Sequence, residues 1–281
     1  MKPHESSGCC LTIAGSDSGG NAGIQADLRA FHAYGLHGCT AIAALTAQNP
    51  FGVKAIHRVP PEFVAEELDA ILGVYDVRAL KTGMLAEAGI IETVAERLAA
   101  HGEIAKVIDP VMVATSGARL IDEQAVATVR ERLLPLATLV TPNLPEAEVL
   151  CGHALDADGS RRADARHAEE LARRIYGSYG CAALVKGGHG DNAEAVDVLF
   201  DGRQVRRFAL GWIAHPVSTH GTGCSLAAAL AAELALGHDV ARAVEGAKRY
   251  VHAAIAGAFP VGPDCGVLGF AEVASDALNM I

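Results

Sequence analysis

What the 281-residue chain has little of narrows its class before any motif is read. Aromatic residues make up 5% of it, with a single tryptophan, which argues against an aromatic-rich binding surface. No run of basic residues occurs and the formal net charge is −10. The chain therefore offers no positive footprint to a nucleic acid or an anionic membrane surface. An anionic substrate would have to be drawn in by local groups against that field. Seven cysteines (Cys9, Cys10, Cys39, Cys151, Cys181, Cys224 and Cys265) are scattered, odd in number and form no C-x-x-C pair. Neither a zinc ribbon nor a disulfide framework is suggested. No apolar run approaches the roughly 20 residues of a membrane span. The Ala-rich stretch after Cys224 is interrupted by Glu233 and Gly237, and Cys9–Ala14 is too short for the apolar region of a signal peptide. A cytoplasmic location is expected. Linkers rich in Pro and Ser, repeats and low-complexity tracts are lacking too, so residues 1–281 are expected to form one domain.

What is present is small and apolar. Hydrophobic residues make up 51% of the chain against 20% charged, enough to bury a large core. Short apolar runs alternate with amphipathic stretches. Strands are expected at Cys9–Ala14, Cys39–Thr46, Ala79–Thr82, Lys106–Asp109, Leu139–Thr141 and Ala182–Lys186, each apolar on both faces as buried parallel strands are. Helices are expected at Ala22–Tyr34, Pro61–Leu72, Ala88–His101, Glu123–Leu133, Pro145–Leu150 and Ala163–Tyr179. Ala195–Phe200 and Gln204–Leu210 flank Asp201-Gly202, which reads as a hairpin turn. Two long helices, Thr222–Leu236 and Val240–Ala258, close the chain. The series predicts an α/β fold of three layers, a mostly parallel central sheet flanked by helices on both faces. Ligands of such sheets lie beyond the carboxyl ends of the strands.

The unusual residues fall at those ends. The segment Ala14-Gly15-Ser16-Asp17-Ser18-Gly19-Gly20-Asn21-Ala22-Gly23 runs from a strand through a Gly-rich turn into a helix. It suits either close approach of a ligand or a plain turn. It has neither the Gly-Lys-Ser/Thr of a phosphate-binding P-loop nor dinucleotide spacing. Near the other end, Ser218-Thr219-His220-Gly221-Thr222-Gly223-Cys224-Ser225 leads into an Ala-rich helix. Small residues leave its first N–H groups bare, an arrangement that stabilises charge on a transferring phosphoryl group. Cys224 in the first turn is either a thiol with a lowered pKa or a small apolar filler. Asp109 and Glu146 at neighbouring strand ends suit Mg²⁺ held through waters, or a turn and a first helical turn. Lys186, before Gly187-Gly188-His189, suits a phosphate charge or a snorkelling lysine. Their coincidence at one sheet edge favours the functional readings.

These segments occur in the order of a known family. The chain resembles the hydroxymethylpyrimidine/phosphomethylpyrimidine kinases of the ribokinase-like superfamily. The motifs are Leu11-Thr12-Ile13-Ala14-Gly15-Ser16-Asp17, Ala22-Gly23-Ile24-Gln25-Ala26-Asp27, Ala44-Leu45-Thr46-Ala47-Gln48-Asn49 and Lys81-Thr82-Gly83-Met84-Leu85. Asp109-Pro110-Val111-Met112-Val113, Thr141-Pro142-Asn143-Leu144-Pro145-Glu146-Ala147-Glu148, Lys186-Gly187-Gly188-His189 and Thr219-His220-Gly221-Thr222-Gly223-Cys224 complete the series. Together they cover about residues 9 to 258. The resemblance implies a kinase that uses ATP and Mg²⁺ to phosphorylate 4-amino-5-hydroxymethyl-2-methylpyrimidine twice for thiamine biosynthesis. It further implies an anion hole at Gly221, Thr222, Gly223 and Cys224, with Lys186, Gly221 and Gly223 on the ATP phosphates and Asp109 and Glu146 serving the metal. The pyrimidine would lie among Gly15, Asp17, Ala22, Asp27, Gln48, Met84 and Val111. A carboxamide such as that of Gln48 offers the donor and acceptor that suit an aminopyrimidine edge. Relatives are often homodimers, so a homodimer is implied as well.

The chain departs from the family pattern at Ser18-Gly19-Gly20-Asn21, where Pro-Ser-Gly-Gly is usual, at Ser218 in place of Asn, and at Thr115 in place of Lys. The tail around Val261–Gly266 matches poorly. Two rivals stand beside the pyrimidine kinase: a pyridoxal or pyridoxine kinase of the same fold, and a non-catalytic pyrimidine-binding regulatory module. Retention of Asp109, Glu146, Lys186 and the Gly221–Cys224 loop argues against the second, since a binder needs no metal site and no anion hole.

Overall fold

Alternate residues of each buried strand point to opposite faces of the sheet, and here both sets are apolar. Leu11, Ile13, Leu80, Ile108, Val140 and Val185 enter one buried cluster, while Cys10, Ala79, Val107, Leu139 and Leu184 enter another. Helices must therefore cover both faces. The computed structural model describes residues 8–113, 120–153, 165–187 and 194–269. In chain order its elements are β1 (Cys9–Asp17), α1 (Gly23–Ala33), β2 (His37–Asn49), β3 (Gly52–Arg58), α2 (Pro61–Leu72), β4 (Val77–Thr82), α3 (Ala88–Ala99) and β5 (Ala105–Ile108). Then follow α4 (Glu123–Thr128), β6 (Leu139–Val140), α5 (Leu144–Leu150), α6 (Ala165–Tyr179), β7 (Ala182–Val185), β8 (Glu194–Phe200), β9 (Val205–Gly211), α7 (Thr222–Ala235), α8 (Val240–Ala256), β10 (Phe259–Gly262) and β11 (Cys265–Val267).

The main sheet has nine strands in the order β3-β2-β1-β4-β5-β6-β7-β8-β9. From β2 to β7 all neighbours are parallel, whereas β3, β8 and β9 pair antiparallel at the two edges. The first cluster packs α2, α3, α5 and α6 against one face, and the second packs α1, α7 and α8 against the other. In α7 every residue from Ala227 to Ala232 is fully buried, and its alanines let neighbouring backbones approach closely. Among the described residues no helix is long and apolar enough to cross a membrane.

The expected three-layer α/β architecture is present, with differences in detail. Strand β2 runs on to Asn49 and turns back at Pro50-Phe51 into β3, a hairpin the apolar pattern did not announce because both strands are half exposed here. The expected helix Glu123–Leu133 leaves α geometry after Thr128, continuing as a π turn over Val129–Leu133 and a 3₁₀ turn over Leu134–Leu136. Pro135 ends it, since proline lacks the N–H that an α-helix would require. The poorly matching tail forms the small β10–β11 hairpin. Thr115, Gly188, His189 and the first two residues of the helix expected at Ala163–Tyr179 lie outside the described residues.

Candidate active site

Strand β1 breaks its register with β2 between Ala14 and Gly15 and ends at Asp17. A side chain on Gly15 would collide with the Met84 methyl at 2.6 Å, so glycine lets that methionine lie over the strand end. Asp17 organises the turn that follows. Its Oδ1 accepts from the Gly19 N–H at 2.7 Å, and its Oδ2 from the N–H groups of Asn21 and Ala22 at 2.9 and 2.8 Å. Burial works against its ionisation, but His220, Gln48 and these amides outweigh it and hold the carboxyl well below the usual range. His220 Nε2 stands 3.7 Å from Asp17 Oδ2, which ties the first Gly-rich turn to the loop before α7. The two loops abut: a Cβ on Gly221 would lie 1.8 Å from the Asn21 carbonyl oxygen. Gly221 also adopts φ +90°, a conformation that favours glycine.

Gly221 is the N-cap of α7 and supplies no side-chain cap, and the first turn carries no acidic residue. The Thr222 N–H donates to the Thr219 carbonyl at 3.3 Å, which leaves the next N–H groups of the first turn and the positive dipole end for a ligand. Lys186 and Asp109 face it directly. A Cβ on Gly223 would lie 3.7 Å from Lys186 Nζ and 3.9 Å from Asp109 Oδ2. Lys186 donates to Asp109 Oδ1 at 2.9 Å, and Thr141 Oγ1 donates to the same oxygen at 3.1 Å. Burial alone would lower the Lys186 pKa; Asp109 and Glu146 override it and hold the ammonium above its ordinary value.

Glu146 closes a capping box with Asn143 at the start of α5, accepting from the Asn143 N–H at 2.9 Å while Asn143 Oδ1 accepts from the Glu146 N–H at 2.9 Å. Burial, helped by the charge of Asp109, pushes its carboxyl up to about 7 against the pull of Lys186. One lysine thus faces two buried carboxylates, and the surplus negative charge suits a hard divalent cation that takes one or two carboxylates plus waters and phosphates. Among the described residues no group of three or more His, Cys, Asp or Glu side chains is gathered for a metal.

A cavity of about 790 Å³ runs along this edge of the sheet. It is lined by Cys224, Gly221, Thr222, Gly223, Lys186, Gly15, Asp17, Ala22, Gln48, Met84, Val111, Asp109 and Glu146. Asp27, expected beside the pyrimidine, is not among its lining residues. Asp27 is fully buried one layer behind, where Thr12 donates to it at 2.6 Å and Lys81, on the cavity side, at 2.9 Å. Helix α1 carries Asp27 on its inward face with Ile24, Ala30 and Phe31, which explains the placement.

Cys224 lies partly buried in the first turn of α7. Burial pushes its thiol up; Asp27 and Asp109 add to the rise, and Lys81 and the Gly23 N–H oppose it. Helix position alone suggests a lowered value, but burial of the thiol dominates and raises it. Residues not singled out in the sequence extend the cavity towards β9 and α8: Trp212, Ile213 and Pro216, with Val251, His252 and Ile255. The signals available were the lone tryptophan after β9 and the i, i+4 pair Val251 and Ile255 on α8. Asp197 and Lys248 also line it.

The phosphomethylpyrimidine kinase family model matches residues 17–269. A hydroxymethylpyrimidine/phosphomethylpyrimidine kinase from Rhizobium meliloti is 48% identical over 248 residues, covering 88% of this chain and 90% of that protein. The thiamine biosynthesis bifunctional protein ThiED of Geobacter sulfurreducens is 46% identical over 269 residues, which cover 96% of this chain. The chain spans about half, 53%, of that bifunctional protein. An ADP complex of Bacillus subtilis pyridoxal kinase superposes with a TM-score of 0.85 at 35% identity, covering 94% of this chain and 98% of the other. The ordered motifs, the three-layer sheet with its bare α7 terminus and these likenesses agree that the chain belongs to the phosphomethylpyrimidine kinase family, built on the ribokinase-like fold.

Proposed function

We propose that the chain transfers the γ-phosphoryl group of ATP to the hydroxyl of 4-amino-5-hydroxymethyl-2-methylpyrimidine, and then a second phosphoryl group to the monophosphate so formed, in thiamine biosynthesis. The observation that carries this reading is the placement of the bare α7 N-terminus between two unlike ends of one cavity. On the β1, β2 and β4 side stand Gly15, Ala22, Gln48, Met84 and Val111, a short pocket for a small aminopyrimidine. On the β9 and α8 side lies the longer apolar wall of Trp212, Ile213, Val251 and Ile255, suited to a nucleoside base. A phosphate chain reaching from the second end to the first passes Lys186 and ends at Gly221–Cys224.

In that arrangement the chain's own groups do the following. The N–H groups of the first α7 turn collect charge that develops on the transferring phosphoryl oxygens. The Lys186 ammonium, held by Asp109, supplies a positive point charge to the nucleotide phosphates. Asp17 holds the first Gly-rich turn against the anion loop through His220, and Gln48 pairs with the aminopyrimidine edge. Cys224 keeps a neutral thiol beside the acceptor, which admits a phosphate monoester where a carboxylate would repel it. Asp109 and Glu146 would hold Mg²⁺, which when bound neutralises phosphate charge.

The continuous sheet from Cys9 to Gly211 supports reading residues 1–281 as one domain. A homodimer belongs to the same reading, supported by the exposed Leu45 and Phe51 at the β2–β3 edge of the sheet. A cytoplasmic location suits a kinase that draws on ATP.

The deciding experiment offers MgATP with either the hydroxymethylpyrimidine or pyridoxal and resolves products by mass. Successive appearance of the pyrimidine mono- and diphosphate is expected. The likeness to Bacillus subtilis pyridoxal kinase favours pyridoxal as the second acceptor to test. If pyridoxal phosphate dominates and no pyrimidine diphosphate forms, the kinase reading stands and the acceptor assignment falls.

A further inference from the structure

Lys186 is held by more than its ion pair with Asp109. The ladder between β7 and β8 stops at Val185↔Val198, one pair short of Lys186. Past that point the chain crosses so close to β8 that a Cβ on Gly187 would lie 1.9 Å from the Val196 carbonyl oxygen. The Gly187 N–H donates to the side chain of Asp197, at 2.9 Å to Oδ1. On the other side the Lys186 N–H donates to the Pro142 carbonyl at 2.9 Å. The backbone of Lys186-Gly187 is thus clamped between a peptide oxygen and a carboxylate.

That carboxylate is itself unusual. Asp197 sits in a strand whose following residues, Val198, Leu199 and Phe200, are buried and apolar, and it is only 7% exposed. Its second oxygen accepts from Lys248 Nζ of α8 at 2.7 Å, and Lys248 is 8% exposed on the buried face beside Ala247 and Val251. Buried ion pairs contribute little net stability, because desolvation offsets their attraction, and apolar side chains of similar size often do as well. Stability alone therefore gives a poor reason for an Asp–Lys pair here. Both residues line the cavity next to the lysine whose backbone they hold.

We infer that Asp197 and Lys248 form a positioning pair: Lys248 fixes the orientation of Asp197, and Asp197 holds the Gly187 amide so that Lys186 projects towards the nucleotide phosphates. The pair acts through Lys186, and its link to phosphate transfer rests on the kinase reading above. An error of about 1 Å in placing such a group costs up to about a hundredfold in rate.

The test reads amide exchange and kinetics on the full chain. In Lys248→Met a buried carboxylate loses its partner. Exchange of the ¹⁵N-labelled Gly187 amide should quicken about tenfold or more, while the Leu184 amide inside the ladder keeps its protection. KM for ATP should rise about tenfold with KM for the acceptor unchanged. The double variant Asp197→Asn with Lys248→Met should recover part of both, because the asparagine Oδ1 still accepts from Gly187 and no charge is stranded. Should Lys248→Met fail to fold, Lys248→Arg and Asp197→Asn carry the same two readouts. A lowered melting temperature with Gly187 exchange and ATP KM unmoved would mark the pair as merely structural and overturn the inference. Failure of the wild type to phosphorylate the pyrimidine would overturn the acceptor assignment instead, and the Gly187 exchange would still decide the clamp.

Discussion

Lys81 Nζ stands 2.9 Å from both carboxylate oxygens of Asp27, and neither side chain has any exposed surface. Thr12 Oγ1 donates to Asp27 as well, at 2.6 Å. Burial would lower the Lys81 pKa, but Asp27, with Cys224 and Asp109, holds it above the ordinary lysine value. The pair joins α1 to β4 beneath the end of the cavity lined by Gly15 and Met84. Breaking it from one side strands a buried charge, at about 3–5 kcal/mol. Lys81→Met should show a loss of that order in denaturant unfolding, and pairing it with Asp27→Asn should recover most of it. Equal destabilisation by the single and double variants would show that the two groups do not act as a pair.

Cys224 should behave as a protonated thiol in the free protein, because burial raises its pKa and the nearby carboxylates reinforce the rise. Alkylation by iodoacetamide at pH 7.5 should be slower at Cys224 than at an unhindered free thiol. A rate equal to or above that of a free thiol would contradict the neutral form. Cys224→Asp should impair the second phosphorylation more than the first, as a carboxylate repels an anionic acceptor; equal losses would remove that explanation.

Asp17 is a depressed carboxyl, so its contribution to stability is fully present above the unfolded-state value near 4 and disappears as pH falls through its lower folded-state value. Asp17→Asn should cost about 1–3 kcal/mol near pH 7, where the bonds to Gly19, Asn21 and Ala22 favour the charged acceptor. The gap between wild type and variant should narrow below about pH 4. Unfolding curves at pH 3 and pH 7 decide this, and a gap that does not change with pH would count against the ionised turn.

Glu146 carries the opposite shift. Its carboxyl is pushed up to about 7, so without a divalent cation its ionisation costs stability as pH rises from the unfolded-state value, roughly 4.3, through about 7. Glu146→Gln keeps an acceptor for the Asn143 N–H and should match or exceed the wild type in stability at pH 8 in EDTA. Added Mg²⁺ should raise the melting temperature of the wild type and leave that of the variant unmoved. Turnover with MgATP should drop about 10–100-fold in the variant. An equal thermal response of the two proteins to Mg²⁺ would remove Glu146 from the metal site.

The parallel strands and the helices between them were legible because each is a compact apolar run or a helix-period stripe, and burial of both sheet faces demands that pattern. The β2–β3 and β10–β11 hairpins were not, because half-exposed residues such as those from Val53 to His57 carry no strong periodicity. Asp109, Glu146, Lys186 and Gly221–Cys224 stood out as polar or glycine residues at strand ends and at a helix start. Asp197 and Lys248 did not, since nothing local reveals that the carboxylate faces Gly187, 10 residues earlier, or the ammonium, 51 residues later.

The sequence by itself determined the class of architecture, the family and the sheet edge where function gathers, because these follow from periodicity and from the order of local motifs. Only the tertiary structure decided which charges pair. It buried Asp27 in a bond with Lys81, raised the Cys224 thiol by burial, and set Asp197 against the Gly187 amide. Such outcomes depend on through-space distance and desolvation between segments remote in sequence, and neither quantity is present in the local order of residues.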